Sequence, residues 1–461
     1  MNRLLAAALA AWSLALAVRG QSHPRPLSTW PTGQKAEVFD GRRSPHPAAA
    51  DLFHSLLITP AAEPASVADP APAAAVAADA APADAWPLGR GCLAATGRSA
   101  ATLRLPLEVA WKRGFEKTAF GAVPVIAGGT IYVGDLDGSF HALDLDTGAT
   151  RWSIRAEAAG FPAAAAVAPD GSLVVVGDDA GLVRGLDAAT GQERWSFETD
   201  GEISGGPAIL DHAGGPRVLV GSQDASLSCL AVADGSLVWR HTIADQIRCT
   251  PTVVRTAAGD RICIAGCDGK LHVVDAETGV AVAAVPIDGP TGTTPAAAAG
   301  RVCFGTEGGV FYGIDVAAAA VAWQQRPAAN AQAYRSSATI AGDLAIVGSR
   351  SRAVEAFALV DGGRRWRQPM RGRVDASPVA VFATGPAAPA DGAAAGARLV
   401  VIVADAAGRI AALEAATGAA AWEFDAGGGF GGGPAVAADR MVLASDDGTV
   451  WCFRSAAGAT P

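Results

Sequence analysis

Paired carboxylates beside glycine are the first residues of the sequence with the types and spacing to bind a metal ion. They occur at 135–138 (DLDG), 177–181 (GDDAG) and 445–448 (SDDG). Calcium takes about six or more oxygen ligands, whereas each cluster supplies two carboxylates before glycine closes it. Asp and Gly are also the residues that tight hairpin turns require. We therefore predict hairpin turns at these positions and no metal site.

Thiol and imidazole side chains give no stronger sign of chemistry. The seven cysteines are an odd number that leaves at least one unpaired, and neither a CxxCH haem motif nor a pair of CxxC motifs occurs. Cys263 and Cys267 lie four residues apart without histidines in a zinc-binding pattern, which favours small buried side chains. The sequence also lacks a G-x-S-x-G elbow and a P-loop. These patterns predict no catalytic residue.

The net charge of the whole chain bears on its partners, and the hydropathy of its N-terminus bears on its location. The net charge is -9 without a run of Lys or Arg, which argues against nucleic acid as a partner. Arg3 precedes an apolar run over 4–18 that ends in small residues, a pattern typical of a signal peptide over 1–20. The run is too short to span a membrane. We predict an exported protein, periplasmic or extracellular, with no transmembrane segment in the mature chain.

The composition changes between the predicted signal and the rest of the chain. Residues 21–85 are rich in Ala and Pro and offer few large side chains to bury. Such a composition predicts a disordered tail or linker. The folded region is expected over 86–461.

That region repeats itself. The clearest copy is IYVGDLDGSFHALDLDTGATRW at 131–152. Successive copies place their final position 40–44 residues apart, except for one interval of 56 that contains a Gly/Ala/Pro insertion at 384–397. This spacing fits one four-stranded propeller blade per repeat. The final positions are 111, 152, 195, 239, 283, 323, 366 and 422, and all carry Trp except Ala283.

Each copy contains the signals of four short strands. Alternating apolar runs are separated by Asp-Gly or Thr-Gly pairs, and Pro often begins the first strand. The last copy, 434–454, ends after its third strand, and the missing fourth lies in LPLEVAWKRGF around Trp111. Pairing these two ends closes the ring. The sequence predicts an all-β fold, an eight-bladed β-propeller of four-stranded antiparallel blades.

The recurring phrase DG, ALD, TG and Trp resembles the pyrroloquinoline-quinone-like (PQQ-like) repeat family. The resemblance covers about 86–454, and WPLGRGCLAATGRSA at 86–100 looks like the leader of exported members. It implies that the Trp side chains dock neighbouring blades together. That structural role falls on Trp111, Trp152, Trp195, Trp239, Trp323, Trp366 and Trp422.

The resemblance leaves a choice between enzyme and scaffold. Quinone-dependent dehydrogenases of the family imply PQQ, a calcium held by Glu and Asn, and a vicinal disulfide. Here no two cysteines are adjacent, and Asn330 is the single Asn after Asn2. We therefore expect no cofactor and a non-enzymatic scaffold of the BamB type, the propeller that assists outer-membrane protein assembly. The alternative is a divergent PQQ-dependent oxidoreductase, with PQQ and calcium.

Loops between blades supply the candidate binding site. They gather charged and aromatic side chains that we expect at one mouth of the central channel, as a funnel for an anionic ligand or a peptide. The predicted site residues are Arg248, Tyr334, Arg335, Arg371, Arg373 and Asp375. A third reading, a carbohydrate- or wall-binding propeller, would use the nearby aromatics Phe115, Phe120, Phe161, Tyr334 and Phe430. The expected partner is a protein, envelope-associated, bound by a monomer.

Overall fold

A computed structural model of the chain describes residues 80–326, 332–385 and 396–456. The predicted signal peptide, the tail up to residue 79 and most of the insertion lie outside these residues. In the described ranges the regular secondary structure is β-strand, without a helix, so no segment there qualifies as a membrane-spanning helix.

Thirty-three strands are present in the described residues. Their bounds, in chain order, are β1 (Arg98–Arg104), β2 (Leu107–Gly114), β3 (Val125–Ala127), β4 (Thr130–Gly134), β5 (Ser139–Asp144), β6 (Thr150–Arg155), β7 (Ala166–Val167), β8 (Leu173–Gly177), β9 (Leu182–Asp187), β10 (Glu193–Glu198), β11 (Ala208–Leu210), β12 (Arg217–Gly221), β13 (Ser226–Ala231), β14 (Leu237–Thr242), β15 (Thr252–Thr256), β16 (Gly259–Ala265), β17 (Lys270–Asp275), β18 (Ala281–Pro286), β19 (Ala296–Ala298), β20 (Arg301–Gly305), β21 (Phe311–Asp315), β22 (Ala320–Gln325), β23 (Thr339–Ala341), β24 (Leu344–Ser349), β25 (Ala353–Ala358), β26 (Arg364–Pro369), β27 (Val379–Thr384), β28 (Arg398–Ala404), β29 (Arg409–Glu414), β30 (Ala420–Asp425), β31 (Ala435–Ala437), β32 (Arg440–Ala444) and β33 (Thr449–Ser455).

The strands form eight sheets, which are the blades of a propeller. Blades 1 to 7 each take four consecutive strands, beginning with β3, β7, β11, β15, β19, β23 and β27, and blade 8 begins with β31. The first strands of neighbouring blades contact each other around the channel, except that blades 3 and 4 meet through a shared core cluster. Strand β31 contacts β3, so the ring is closed. The prediction of an eight-bladed, four-stranded propeller is confirmed.

Blade 8 combines the two ends of the propeller sequence. Strand β2 pairs antiparallel with β33, and Trp111 lies opposite Cys452. This places β2 at the outer edge of the sheet β2-β33-β32-β31. The predicted closure by the strand around Trp111 is confirmed. One strand was not foreseen: β1 adds to blade 7 as a fifth strand, parallel to β27.

The repeated Trp side chains lie between blades. In five of them the indole Nε1 donates a hydrogen bond to a carbonyl of the next blade, as in Trp152 to Ala188 (3.0 Å) and Trp323 to Leu359 (2.9 Å). The ring covers the glycine of the next blade's Thr-Gly type turn. A Cβ on that glycine would lie 2.5–2.7 Å from the ring, so only glycine fits. Trp422, next to the closure, instead stacks on Phe424.

The repeat without Trp lacks both members of this contact, the Trp and the glycine that it covers. Ala283 stands in the Trp position of blade 4, and the turn it faces in blade 5 carries Ala319 where the other turns have glycine. Both side chains pack against the same core cluster. Ala319 keeps the left-handed backbone of the other turns, with φ of 50°. Such a φ is unfavourable for alanine, so the loss of the glycine has a cost in conformational energy.

This pairing predicts strong coupling between two substitutions. Ala283→Trp alone should destabilise the propeller by about 1–3 kcal/mol, because the new ring meets the Cβ of Ala319. Ala319→Gly alone should be neutral or mildly stabilising, and the double variant should recover the loss. Chemical unfolding of the four proteins measures the coupling energy. Additive effects of the two changes would contradict the proposed pairing.

Candidate functional site

The N-terminal segment 81–97, which we call the girdle, runs around the inside of the propeller. Its backbone forms hydrogen bonds with residues in or directly after the first strands of the blades. These contacts follow the order of the blades around the ring, from Ala83 with blade 8 to Gly97 with blade 7. The bonded partners in the blades are Ala438, Ile126, Val167, Val253, Ala297, Ile340 and Ala380. For blade 3 the contact is made by the side chain of Leu93. The predicted boundary between tail and propeller, at 85/86, therefore falls inside the girdle.

The girdle borders a cavity in the channel. Its hydrogen bonds reach the second residue of six of the first strands, as at Ile126, Val253 and Ala380, which places it just beyond the loops that lead into these strands. Gly89 and Arg90 of the girdle line a cavity of about 190 Å³ together with residues of these loops. We call this cavity the funnel, and the side formed by Gly89 and Arg90 its floor.

The funnel wall consists of two rings with one residue from each loop. The upper ring is Gly121, Pro162, Ser204, Arg248, Gly292, Arg335, Asp375 and Gly431. The lower ring is Val123, Ala164, Gly206, Thr250, Thr294, Ser337, Ser377 and Gly433.

Both rings concentrate their polar side chains on one half of the channel. The upper ring places Arg248, Arg335 and Asp375 there. In the lower ring four consecutive loops carry hydroxyls, while the remaining positions are Gly, Ala or Val. The funnel is therefore asymmetric, with a polar half formed by the loops entering blades 4 to 7.

Arg335 and Arg373 are held at the mouth by carboxylates, whereas Arg248 Nε donates to the amide oxygen of Gln246 at 2.9 Å. Arg335 Nε lies 2.9 Å from Glu307 Oε1, and Arg373 Nε lies 3.0 Å from Asp375 Oδ2. Arg350 also binds Asp375 through two contacts of 3.0 Å, which raises the pKa of the Arg350 guanidinium. Arg335 and Arg373 remain about half exposed. They can exchange these surface ion pairs for a partner's carboxylates at small cost.

Three predicted site residues do not line the funnel, Tyr334, Arg371 and Arg373, although Arg373 stays beside the mouth through its ion pair with Asp375. Tyr334 is 2% exposed, packs on Phe311 and donates its hydroxyl to Glu355. Burial, with a further contribution from Glu355, raises the pKa of its phenol well above the usual range. Arg371 binds Asp425 at 2.6 Å and does not line the funnel. The prediction that Tyr334 lies at the mouth is wrong, because its side chain faces Gly305 in the core.

A repeated position explains Tyr334 and reveals the funnel rings. Seven of the eight loops place a buried aromatic or aliphatic side chain directly before the upper-ring residue: Phe120, Phe161, Ile203, Ile247, Tyr334, Val374 and Phe430. Aligning the loops on this position identifies the channel-facing residues. The same burial removes Phe120, Phe161 and Phe430 from the surface, which contradicts their predicted use as a carbohydrate platform.

The acidic clusters are turns, as predicted. Asp135 Oδ1 accepts hydrogen bonds from the backbone N–H groups of Asp137 and Ser139, at 3.1 and 2.7 Å. Asp178 makes the same pair of bonds in its own turn, and the third cluster, at 445–448, is also a turn between β32 and β33. In the described parts of the chain no three His, Cys, Asp or Glu side chains lie together as a metal-binding group.

Of the two cysteines predicted to be small buried side chains, Cys263 is fully buried, whereas Cys267 is only partly buried. Five of the seven cysteines are fully buried. Burial raises the pKa of each of these five, Cys229, Cys249, Cys263, Cys303 and Cys452, to about 12. They are inert as nucleophiles at neutral pH.

A family model described as outer membrane protein assembly factor BamB matches residues 106–251, 250–384 and 350–460. The matches together span most of the chain. The chain belongs to this BamB-like family of PQQ-like repeat propellers.

Solved structures agree on the fold. BamB from Moraxella catarrhalis is 18% identical with a TM-score of 0.59, and the alignment covers 76% of this chain and 100% of that one. The computationally designed Ika8 protein is 16% identical with a TM-score of 0.59, covering 74% of this chain and 98% of that one. No curated protein matches the sequence. At these identities the likeness to BamB establishes the propeller architecture and not its partners.

Proposed function

We propose that this BamB-like chain is an exported, non-enzymatic scaffold that binds a protein of the cell envelope at the funnel mouth. Membership of a family described as an outer membrane assembly factor supports an envelope location. The apolar run over 4–18 after Arg3 supports export. A rigid ring that is closed by both β2 and the girdle is suited to presenting loops without moving them.

The observation that carries the proposal is the one-sided arrangement of the mouth. Arg248, Arg335 and Asp375 occupy three of the eight upper-ring positions, and four of the remaining five are Gly or Pro. Arg373 and Glu307 extend the same charged half outward through their ion pairs. Exposed charges of both signs on one side of a rim orient a protein partner and increase its association rate.

The alternative, a quinone-dependent oxidoreductase, fits this funnel poorly. Asp375 is the single carboxylate among the residues that line it, and two arginines already bind that carboxylate. A calcium ion takes about six or more oxygen ligands, preferably with negative charge. These residues do not supply such a set, and we propose no cofactor for the chain.

Photocrosslinking tests the proposed mouth. A photoreactive amino acid at position 335 or 248 is expected to form adducts with one envelope protein in the native cell, because these residues face the approaching partner. Position 151 serves as the control, since Arg151 is similarly exposed but pairs with Asp144 on the outer strand of blade 1. With the crosslinker at 248, Arg335→Ala with Arg373→Ala should reduce adducts about fivefold or more without changing thermal stability.

Two outcomes would contradict the proposal. Adducts that form equally at positions 151 and 335, or that are not reduced by the double substitution, would show that the partner binds elsewhere on the propeller. Quinone absorbance retained by the purified protein after incubation with PQQ and calcium and desalting would favour the oxidoreductase instead.

A further inference from the structure

Arg90, in the funnel floor, has a buried guanidinium without a carboxylate partner. The residue is 4% exposed, and in the described parts of the chain no carboxylate forms an ion pair with it. Its Nη2 donates to the carbonyls of Ala338 (2.8 Å) and Pro378 (2.9 Å). Its Nε and Nη1 have no hydrogen-bond acceptor among the described residues. A buried donor without an acceptor is costly, and more so when it carries charge.

The charge of Arg90 persists at neutral pH. Burial lowers its pKa to about 10, with a smaller opposing contribution from Cys92. That value still lies well above neutral pH, so the guanidinium stays protonated at pH 7. The funnel floor therefore holds a positive charge that the surrounding protein groups do not neutralise.

The lower ring carries hydroxyls next in the chain to the carbonyls that bind Arg90. Ala338 and Pro378, which bind Arg90, follow Ser337 and Ser377 of that ring. Three hydroxyl oxygens each accept a bond from the N–H of the preceding loop: Thr294 from Thr250, Ser337 from Thr294, and Ser377 from Ser337.

These hydrogen bonds determine whether the three hydroxyls can still donate or accept a bond from a ligand. Each hydroxyl oxygen already accepts a hydrogen bond, at 3.2 Å for Thr294 and 2.9 Å for Ser337 and Ser377. Within the described residues no acceptor is found for the hydrogen of any of the three. The polar half of the lower ring therefore presents donors toward the channel, and a ligand that matches them must supply acceptors and negative charge.

We propose that the funnel floor binds a small oxyanion, held by the Arg90 guanidinium and by the hydroxyls of Thr294, Ser337 and Ser377. The cavity of about 190 Å³ admits a phosphate, a sulfate or a small carboxylate. Asp375 does not oppose this charge strongly, because Arg350 and Arg373 bind it at the mouth. The site goes beyond the proposed protein-binding function, which uses the rim.

Titration calorimetry on the mature protein, dialysed into a buffer without oxyanions, tests the site with phosphate, sulfate and acetate separately. Saturable binding of at least one, with a matching rise in melting temperature, is expected. Preference for phosphate or sulfate would identify a tetrahedral oxyanion, and preference for acetate a carboxylate. Ser337→Ala with Ser377→Ala should weaken binding about tenfold or more, and Arg90→Met should abolish it.

Controls separate this site from the rim and from the fold. Arg335→Ala with Arg373→Ala should leave the anion affinity within about threefold, whether or not that variant loses its protein partner. If Arg90→Met does not fold, the serine double variant still decides, because it leaves Arg90 and its two carbonyl bonds in place. Absence of saturable binding up to about 10 mM, or binding that is unaffected by the serine substitutions, would overturn the proposal.

Discussion

Replacing Trp323 with alanine is expected to lower the free energy of unfolding by about 3–5 kcal/mol. The side chain is 7% exposed, packs on Phe311 and covers Gly362 of blade 6. Its Nε1 donates to the Leu359 carbonyl at 2.9 Å. Alanine would leave a cavity between blades 5 and 6 and an unpaired buried carbonyl. Urea unfolding followed by Trp fluorescence and circular dichroism measures the loss.

Two matched substitutions separate packing from hydrogen bonding. Trp323→Phe keeps much of the ring and loses the donor, so about 1–2 kcal/mol is expected. Gln324→Ala changes an exposed neighbour on the same strand and should be neutral. A loss below about 1 kcal/mol for Trp323→Ala would show that the blades are held together by other contacts. The same comparison at Trp239, whose Nε1 has no partner in the described region, should show a smaller difference between Phe and Trp.

The number of blades could be predicted from the sequence because most repeats carry the Trp that contacts the next blade. A Trp must meet a glycine in the next repeat, so both residues recur at a fixed spacing and expose the period. The closure strand was readable for the same reason, since Trp111 stands one period before Trp152. Even the exception obeys this rule, since the repeat that lacks the Trp, at Ala283, faces the turn that lacks the glycine, at Ala319.

Only some of the residues of the funnel could be predicted from the sequence. Whether a loop side chain faces the core or the channel depends on its register relative to the buried position that precedes the upper ring. Tyr334 occupies that buried position and Arg335 the next one, so adjacent residues have opposite environments. Aligning the loops on Ile203, Ile247 and Val374 would have assigned Tyr334 to the core. The loops differ in length and composition, which conceals this register from inspection of a single loop.

The girdle has no comparable signature. It binds the blades mainly through backbone groups, and backbone hydrogen bonds require no particular side chain. Its sequence is rich in Gly and Ala because it passes close to the first strands of the blades. A Cβ on Gly89, for example, would lie 2.8 Å from the Ala164 side chain. Composition alone therefore made its first residues look like the end of the tail.

Trp86→Ala is expected to release the girdle and to destabilise the protein by about 3–5 kcal/mol. Trp86 is fully buried, and its backbone exchanges two hydrogen bonds with Ile126 of blade 1. The ring also lies against Gly91 of the girdle, directly after Arg90 of the funnel floor. Losing this anchor weakens the attachment to blade 1 of a segment that contacts each blade in turn. The floor of the funnel, including Arg90, should become mobile with it.

Hydrogen exchange can separate release of the girdle from general unfolding. The amides of Val253, Ala297, Ile340 and Ala380 donate to girdle carbonyls, so they should exchange faster in the variant. Amides in the third strands of the same blades, which bond only within their sheets, should exchange no faster than the global stability requires. Uniform acceleration throughout the blades would show that the girdle is part of the cooperative core. Unchanged exchange at the four amides would show that the remaining contacts hold the girdle without Trp86.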